Sequence, residues 1–240
     1  MSVGLIGYGR FGRLAARHIA KHATVYVHDR RKPGRGRRGR IVPASLARAA
    51  EQPVVILAVP VSELRSVLRD IRPHLSRSAL VVDVCAVKVL PAQWMKAILP
   101  PHTRLIGAHP LFGPDTALDS VRDHTAVLCR VRCPAPLFRA VCKRLEKSGI
   151  AVLEMTPARH DRLAAETVFL TQLIGRAVRL ADLGVWPTAT RTYRELMDVV
   201  EVARHDTPGL FRDMFLYNTH ARRVSAAVGR AFRTLERDMD

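Results

Sequence analysis

Three glycines at the spacing GxGxxG, Gly7, Gly9 and Gly12, follow directly on the apolar run Val3-Gly4-Leu5-Ile6 and open a helix-type stretch. This arrangement can cradle a dinucleotide. The first glycine permits a tight turn, the second lets the backbone approach a pyrophosphate, and the third lets the helix pack closely. The helix N-terminus then attracts the phosphates. Asp29 lies twenty positions after Gly9, at the end of the next apolar run. A carboxylate there accepts hydrogen bonds from the adenosine ribose and repels a 2′-phosphate. NAD or NADP is therefore the expected cofactor, with NAD favoured. Arg30 and Arg31 keep NADP open, because guanidiniums beside the ribose can clamp a 2′-phosphate. The expected cofactor site is Gly7, Gly9, Arg10, Phe11, Gly12, Asp29 and Arg30, with Val59 and Pro60 at the end of another apolar run.

Three further clusters carry chemistry that a dinucleotide turn does not require. They are Asp83-Val84-Cys85-Ala86-Val87-Lys88, His109-Pro110-Leu111-Phe112-Gly113-Pro114-Asp115, and the pair His160-Asp161. The first two follow apolar runs, which places them on the carboxyl edge where ligands bind in open α/β sheets. Cys85, Cys129, Cys133 and Cys142 show no CxxC spacing with histidines, so they read as reduced thiols and no metal site is expected.

The elements that must position these groups follow from the hydrophobic pattern. Short β-type runs at residues 3–7, 25–29, 54–59, 79–84, 105–108, 126–131 and 151–155 alternate with helix-type stretches, notably 10–21, 61–74 and 136–148. That is the pattern of a parallel sheet wrapped by helices. It predicts an α/β chain with a Rossmann-type, mostly parallel sheet, residues 1–155 forming the NAD(P)-binding domain. From Thr156-Pro157, a good helix start, the pattern is helical only. One helix is expected to reach Ala181 or beyond, a second to span about 191–204, and a third to run on from Pro208. The third carries Leu210, Phe211, Met214, Phe215, Ala221, Val224, Val228, Phe232 and Leu235 on one stripe. Residues 156–240 are thus expected to form an all-helical substrate and dimerisation domain, its stripe covered by a second copy in a homodimer.

A net charge of +18 invites a nucleic-acid partner. The distribution argues against one, since most basic residues stand singly on helices, as Arg65, Arg69, Arg139 and Lys143 do. The dense run Arg30, Arg31, Lys32, Arg35, Arg37, Arg38 and Arg40 lacks interleaved aromatic residues. A basic surface also suits small anions. No apolar run approaches the roughly 18 residues of a membrane span, and residues 1–10 lack a basic region ahead of a long apolar stretch. A soluble, cytoplasmic protein without membrane contact is expected.

The chain resembles the prephenate/arogenate dehydrogenases of tyrosine biosynthesis over nearly its whole length. His109-Pro110-Leu111-Phe112-Gly113-Pro114-Asp115 resembles the family's HPxxG(P) signature, Asp83 and Lys88 match its D-x-x-S-V-K segment, and His160-Asp161 matches its HD pair. Tyr193-Arg194 aligns with a Tyr-Arg pair, and the stretch from Leu210 to Asn218 is similar to the short, plant-type arogenate dehydrogenases. The resemblance implies NAD(P)-dependent oxidative decarboxylation of prephenate and/or arogenate. His109 would be the base for the ring hydroxyl, since an imidazole titrates near neutral pH. Arg194 would anchor the side-chain carboxylate, with His160 and Gln172 as further substrate contacts. Two departures stand out: Ala86 replaces the family serine, and Gln172 stands where relatives commonly carry histidine. Two rivals remain open, another Rossmann reductase with a helical second domain and a non-catalytic NAD(P)-binding regulator. The absence of lysine from Thr156 onward argues against the lysine-dependent reductases, whereas Ala86 favours the regulator.

Overall fold

A computed structural model describes residues 1–31, 39–184 and 186–239. Lys32, Arg35, Arg37 and Arg38 of the basic run therefore lie outside the described residues. The chain divides into two compact units, Met1–Pro157 and Ala158–Asp240.

The first unit is built on an eight-stranded sheet: β1 (Ser2–Ile6), β2 (Thr24–His28), β3 (Ile41–Pro43), β4 (Val54–Leu57), β5 (Leu80–Asp83), β6 (Arg104–Pro110), β7 (Thr125–Arg132) and β8 (Ala151–Glu154). Their spatial order is β3-β2-β1-β4-β5-β6-β7-β8. The first six run parallel, β7 is antiparallel to β6, and β8 is parallel to β7. The chain order reverses between β1 and β4, and an open parallel sheet forms its ligand crevice at that switch point. Helices α1 (Arg10–Ile19), α2 (Leu46–Ala50), α3 (Val61–Ile71), α4 (Val89–Ile98), α5 (Pro114–Ala117) and α6 (Ala135–Glu146) join the strands. The central strands are apolar on both faces, with Leu5, Val55, Leu57 and Val81 wholly buried, as helix-covered parallel strands must be.

Four elements escaped the periodicity, among them the single turn α5. Strand β3 is three residues long and ends in proline, which an edge strand tolerates. Helix α2 is one short turn, capped by Ser45 Oγ accepting the Arg48 N–H at 3.2 Å. Helix α4 carries Pro91 at its third position, still inside the first turn where a missing N–H costs no intrahelical bond. Strand β6 also outruns its expected end at residue 108. Pairing with β7 continues through His109 opposite Val127 and Pro110 opposite Ala126, so His109 sits in the strand and not in a following loop.

The second unit comprises α7 (Pro157–Ala164), one π-helical turn (Ala165–Phe169), α8 (Leu170–Leu180), α9 (Arg191–His205), α10 (Pro208–Tyr217) and α11 (Thr219–Met239). The single third helix expected from Pro208 is in fact two, broken at Asn218, whose backbone is extended (φ −111°, ψ 109°). Asn218 Nδ2 donates to the Asp161 carbonyl at 2.7 Å, and Oδ1 accepts the His220 N–H at 3.0 Å. Asparagine readily trades helical geometry for such caps, and a buried long-range bond decides the matter here. The expected stripe is split accordingly. Met214 and Ala221 are buried, whereas Phe232 and Leu235 are 54% and 58% exposed. No helix among the described residues is long and apolar enough to cross a membrane.

Candidate functional site

The turn after β1 has the shape its glycines predict. Gly7 has φ +98°, and a Cβ there would lie 2.2 Å from the Ala58 carbonyl oxygen at the end of β4. A Cβ on Gly12 would lie 2.2 Å from the Gly7 carbonyl oxygen, so the first turn of α1 rests directly on the strand exit. A Cβ on Gly9 would meet nothing within 4 Å. Gly7 and Gly12 are required by the protein's own packing, whereas Gly9 borders open space at the N-terminus of α1. This is the cradle a pyrophosphate needs, and the residues fit a dinucleotide. Val59 touches the same turn, its Cγ1 3.1 Å from the site of a Gly7 Cβ, and Pro60 caps α3.

Asp29 stands just beyond β2, and its carboxylate reaches back to the turn. Oδ2 accepts the Tyr8 N–H, and Oδ1 accepts the Arg31 N–H at 2.8 Å. Each carboxylate oxygen can accept a second bond, so this bracing is compatible with ribose hydroxyls as further donors. Arg30 pairs with Glu63 in the first turn of α3, Nη1 to Oε1 3.3 Å. Arg10, at the start of α1, pairs with Asp115, Nη2 lying 2.7 and 2.8 Å from the two carboxylate oxygens.

Further along the same sheet edge, Asp83 and Lys88 form an ion pair with both side chains completely buried. Lys88 Nζ also donates to the Ala108 carbonyl at 2.6 Å, and Asp83 Oδ1 accepts the Cys85 N–H at 3.1 Å. Asp83 Oδ2 is buried without a hydrogen-bond partner among the described residues. Burial pushes the Asp83 carboxyl above the ordinary carboxylate range, with Lys88 acting against it. A Cβ on Gly107 would sit 3.1 Å from Lys88 Cδ and 3.2 Å from Asp83 Oδ2, so glycine leaves room for the pair. The pair thus secures β6 at Ala108, next to His109, which is 8% exposed. Ala86 is half-buried on the segment joining Asp83 to Lys88. The buried thiols are poor nucleophiles: burial raises both Cys133 and Cys142, and with the Glu154 hydrogen bond Cys142 is pushed up to about 11.

In the second unit, His160 is 2% exposed, with Nδ1 2.8 Å from Asp161 Oδ1, and the Asp161 carbonyl holds Asn218. Gln172 is 3% exposed. Its Nε2 donates to Asp206 Oδ2 at 2.7 Å, while its Oε1 is buried without a partner among the described residues. Arg194 is exposed on α9, beside Tyr193, whose hydroxyl donates to the Gly184 carbonyl at 2.6 Å. The first unit therefore brings Gly7, Gly12, Val59 and Asp29 around one turn, with Lys88 and His109 further along the sheet edge. In the second unit, His160 and Gln172 are interior residues and Arg194 is a surface one. Sequence reasoning missed Asp115 as the partner of Arg10, 105 positions away, and Glu63 as the partner of Arg30. Nothing in either residue's spacing signals those pairings.

Residues 15–151 match the family model described as prephenate dehydrogenase, nucleotide-binding domain, and residues 179–240 match TYRAAT1-like, C-terminal domain. Arogenate dehydrogenase 2, chloroplastic, of Arabidopsis thaliana is 27% identical over 254 residues, covering 100% of this chain and 70% of the relative. Arogenate dehydrogenase 1, chloroplastic, of the same plant is 28% identical over 232 residues, covering 92% of this chain but 36% of the relative. Among solved structures, the prephenate dehydrogenase of A. aeolicus in complex with hydroxyphenyl propionate and NAD+ superposes with a TM-score of 0.75 at 19% identity. That alignment covers 99% of this chain and 90% of the other.

Proposed function

The chain belongs to the prephenate dehydrogenase family, and from that membership we propose that it catalyses NAD(P)-dependent oxidative decarboxylation of prephenate, arogenate or both. The observation that carries this reading is the placement of two sites on one sheet edge. The Gly7–Gly12 turn leaves β1, and His109 is the penultimate residue of β6, beside the Lys88-held Ala108 carbonyl. Three strand spacings separate β1 from β6, about 14 Å, a span that an extended dinucleotide can bridge.

Gly7, Gly9, Gly12 and the N-terminus of α1 would hold the pyrophosphate, with Asp29 on the ribose and Val59-Pro60 alongside. The bound nicotinamide supplies a hydride acceptor. His109, as a neutral imidazole, takes the proton of the ring hydroxyl while the hydride leaves the same carbon. The ring carboxylate departs as carbon dioxide, and its bonding pair aromatises the ring. Arg194 anchors the side-chain carboxylate through a guanidinium fork. Burial of His160 and Gln172 supports organising roles for them within the second unit. Residues 1–155 serve as the NAD(P)-binding domain and residues 156–240 as the substrate and dimerisation domain, with α11 paired in a homodimer. The free, buried cysteines suit a reducing, cytoplasmic setting.

The test is a matrix of prephenate and arogenate against NAD and NADP with the purified chain, following reduced nicotinamide and carbon dioxide together. Stoichiometric formation of both from at least one substrate is expected. No reduction with any combination overturns the proposal.

A further inference from the structure

Helix α1 grips the segment after β6 at three points. Besides Arg10 on Asp115, His18 Nε2 lies 2.9 Å from the Ala117 carbonyl oxygen, and Arg17 Nη2 lies 3.3 Å from Asp119 Oδ1. The helix whose N-terminus faces the dinucleotide cradle thus also holds the segment that continues from His109. Arg10 follows Gly9 directly as the first residue of α1, and Asp115 holds its guanidinium through both carboxylate oxygens.

Elementary electrostatics makes Asp115 a poor neighbour for a pyrophosphate, since a carboxylate beside an anion site repels the ligand. Both partners are partly exposed, so the pair itself adds little to folding stability. Its value lies in orientation. A free arginine loses rotamer freedom when it meets a phosphate, whereas a guanidinium already held in place has less to lose.

We propose that Asp115 is a positioning residue for the dinucleotide, holding the Arg10 guanidinium at the Gly7–Gly12 turn so that it meets the pyrophosphate preformed. This rests on the dinucleotide reading of that turn.

The experiment is calorimetric titration of NAD into the full chain without substrate, which separates binding from turnover. Asp115→Asn should weaken NAD binding roughly fivefold, the opposite sign to that expected from simply removing a negative charge. Asp115→Glu should recover most of the affinity. Asp119→Asn, the same charge change on the Arg17 contact, should leave it unchanged. In an Arg10→Met background, Asp115→Asn should cause no further weakening. Binding by Asp115→Asn equal to or tighter than the unmodified chain overturns the proposal, as does equal weakening by Asp119→Asn or a persistent effect in the Arg10→Met background. If the unmodified chain binds no dinucleotide, the reading of the turn itself is overturned.

Discussion

Lys88 joins Asp83, at the end of β5, to the backbone of β6 one residue before His109, and both charged side chains are wholly buried. Two buried charges are retained only when each compensates the other, because the interior solvates neither. Lys88→Met should therefore strand the Asp83 carboxylate and destabilise the first unit by about 3–5 kcal/mol. Replacing both residues by apolar ones of similar size should cost clearly less. Urea unfolding measures both, and a loss under about 1 kcal/mol in the single variant contradicts a stabilising ion pair.

His109→Asn should keep NAD affinity and lower kcat by roughly 100-fold or more, since it removes a general base from a strand whose backbone pairing it leaves in place. Near-normal turnover in that variant takes His109 out of the mechanism.

Arg194 is exposed on α9, so its removal should leave folding intact. Arg194→Ala should raise KM for the substrate by an order of magnitude or more, as expected for a carboxylate contact of about 1.5–3 kcal/mol. KM for the dinucleotide should hardly move. Equal effects on both ligands would mark a structural arginine.

Two arrangements near the ribose favour NAD. Asp29 is braced on the Tyr8 and Arg31 amides, which fixes its carboxylate, and Glu63 competes for Arg30. A preference for NAD of about tenfold in kcat/KM is expected, and Asp29→Ser should reverse it by removing the repulsion of a 2′-phosphate. Steady-state kinetics with both cofactors decides the point, and an unmodified chain that prefers NADP would reject the role given to Asp29.

Phe232 and Leu235 expose large apolar surfaces along α11, and burying them between two copies is the expected assembly. Sedimentation should report twice the mass of one chain at micromolar concentration. A species of single-chain mass alone would reject the homodimer.

Periodicity found seven of the eight strands because each is a short apolar run between turn signals, and a buried parallel sheet demands such runs. It missed β3, α2, α4 and α5, where three residues, single turns and Pro91 leave too little periodic signal. It also carried one helix through Asn218, since nothing local shows that this side chain binds the Asp161 carbonyl 57 positions earlier.

For the site, residue type and spacing alone determined the glycine turn and the carboxylate after β2, because their geometry is local to a few consecutive residues. Tertiary structure decided which groups those residues hold. Asp29 braces the Tyr8 amide, Lys88 reaches Ala108, and Asp115 takes Arg10. Each of these contacts depends on which strands are neighbours and in what register. That is set by burying the whole apolar set at once, and no single stretch of sequence encodes it.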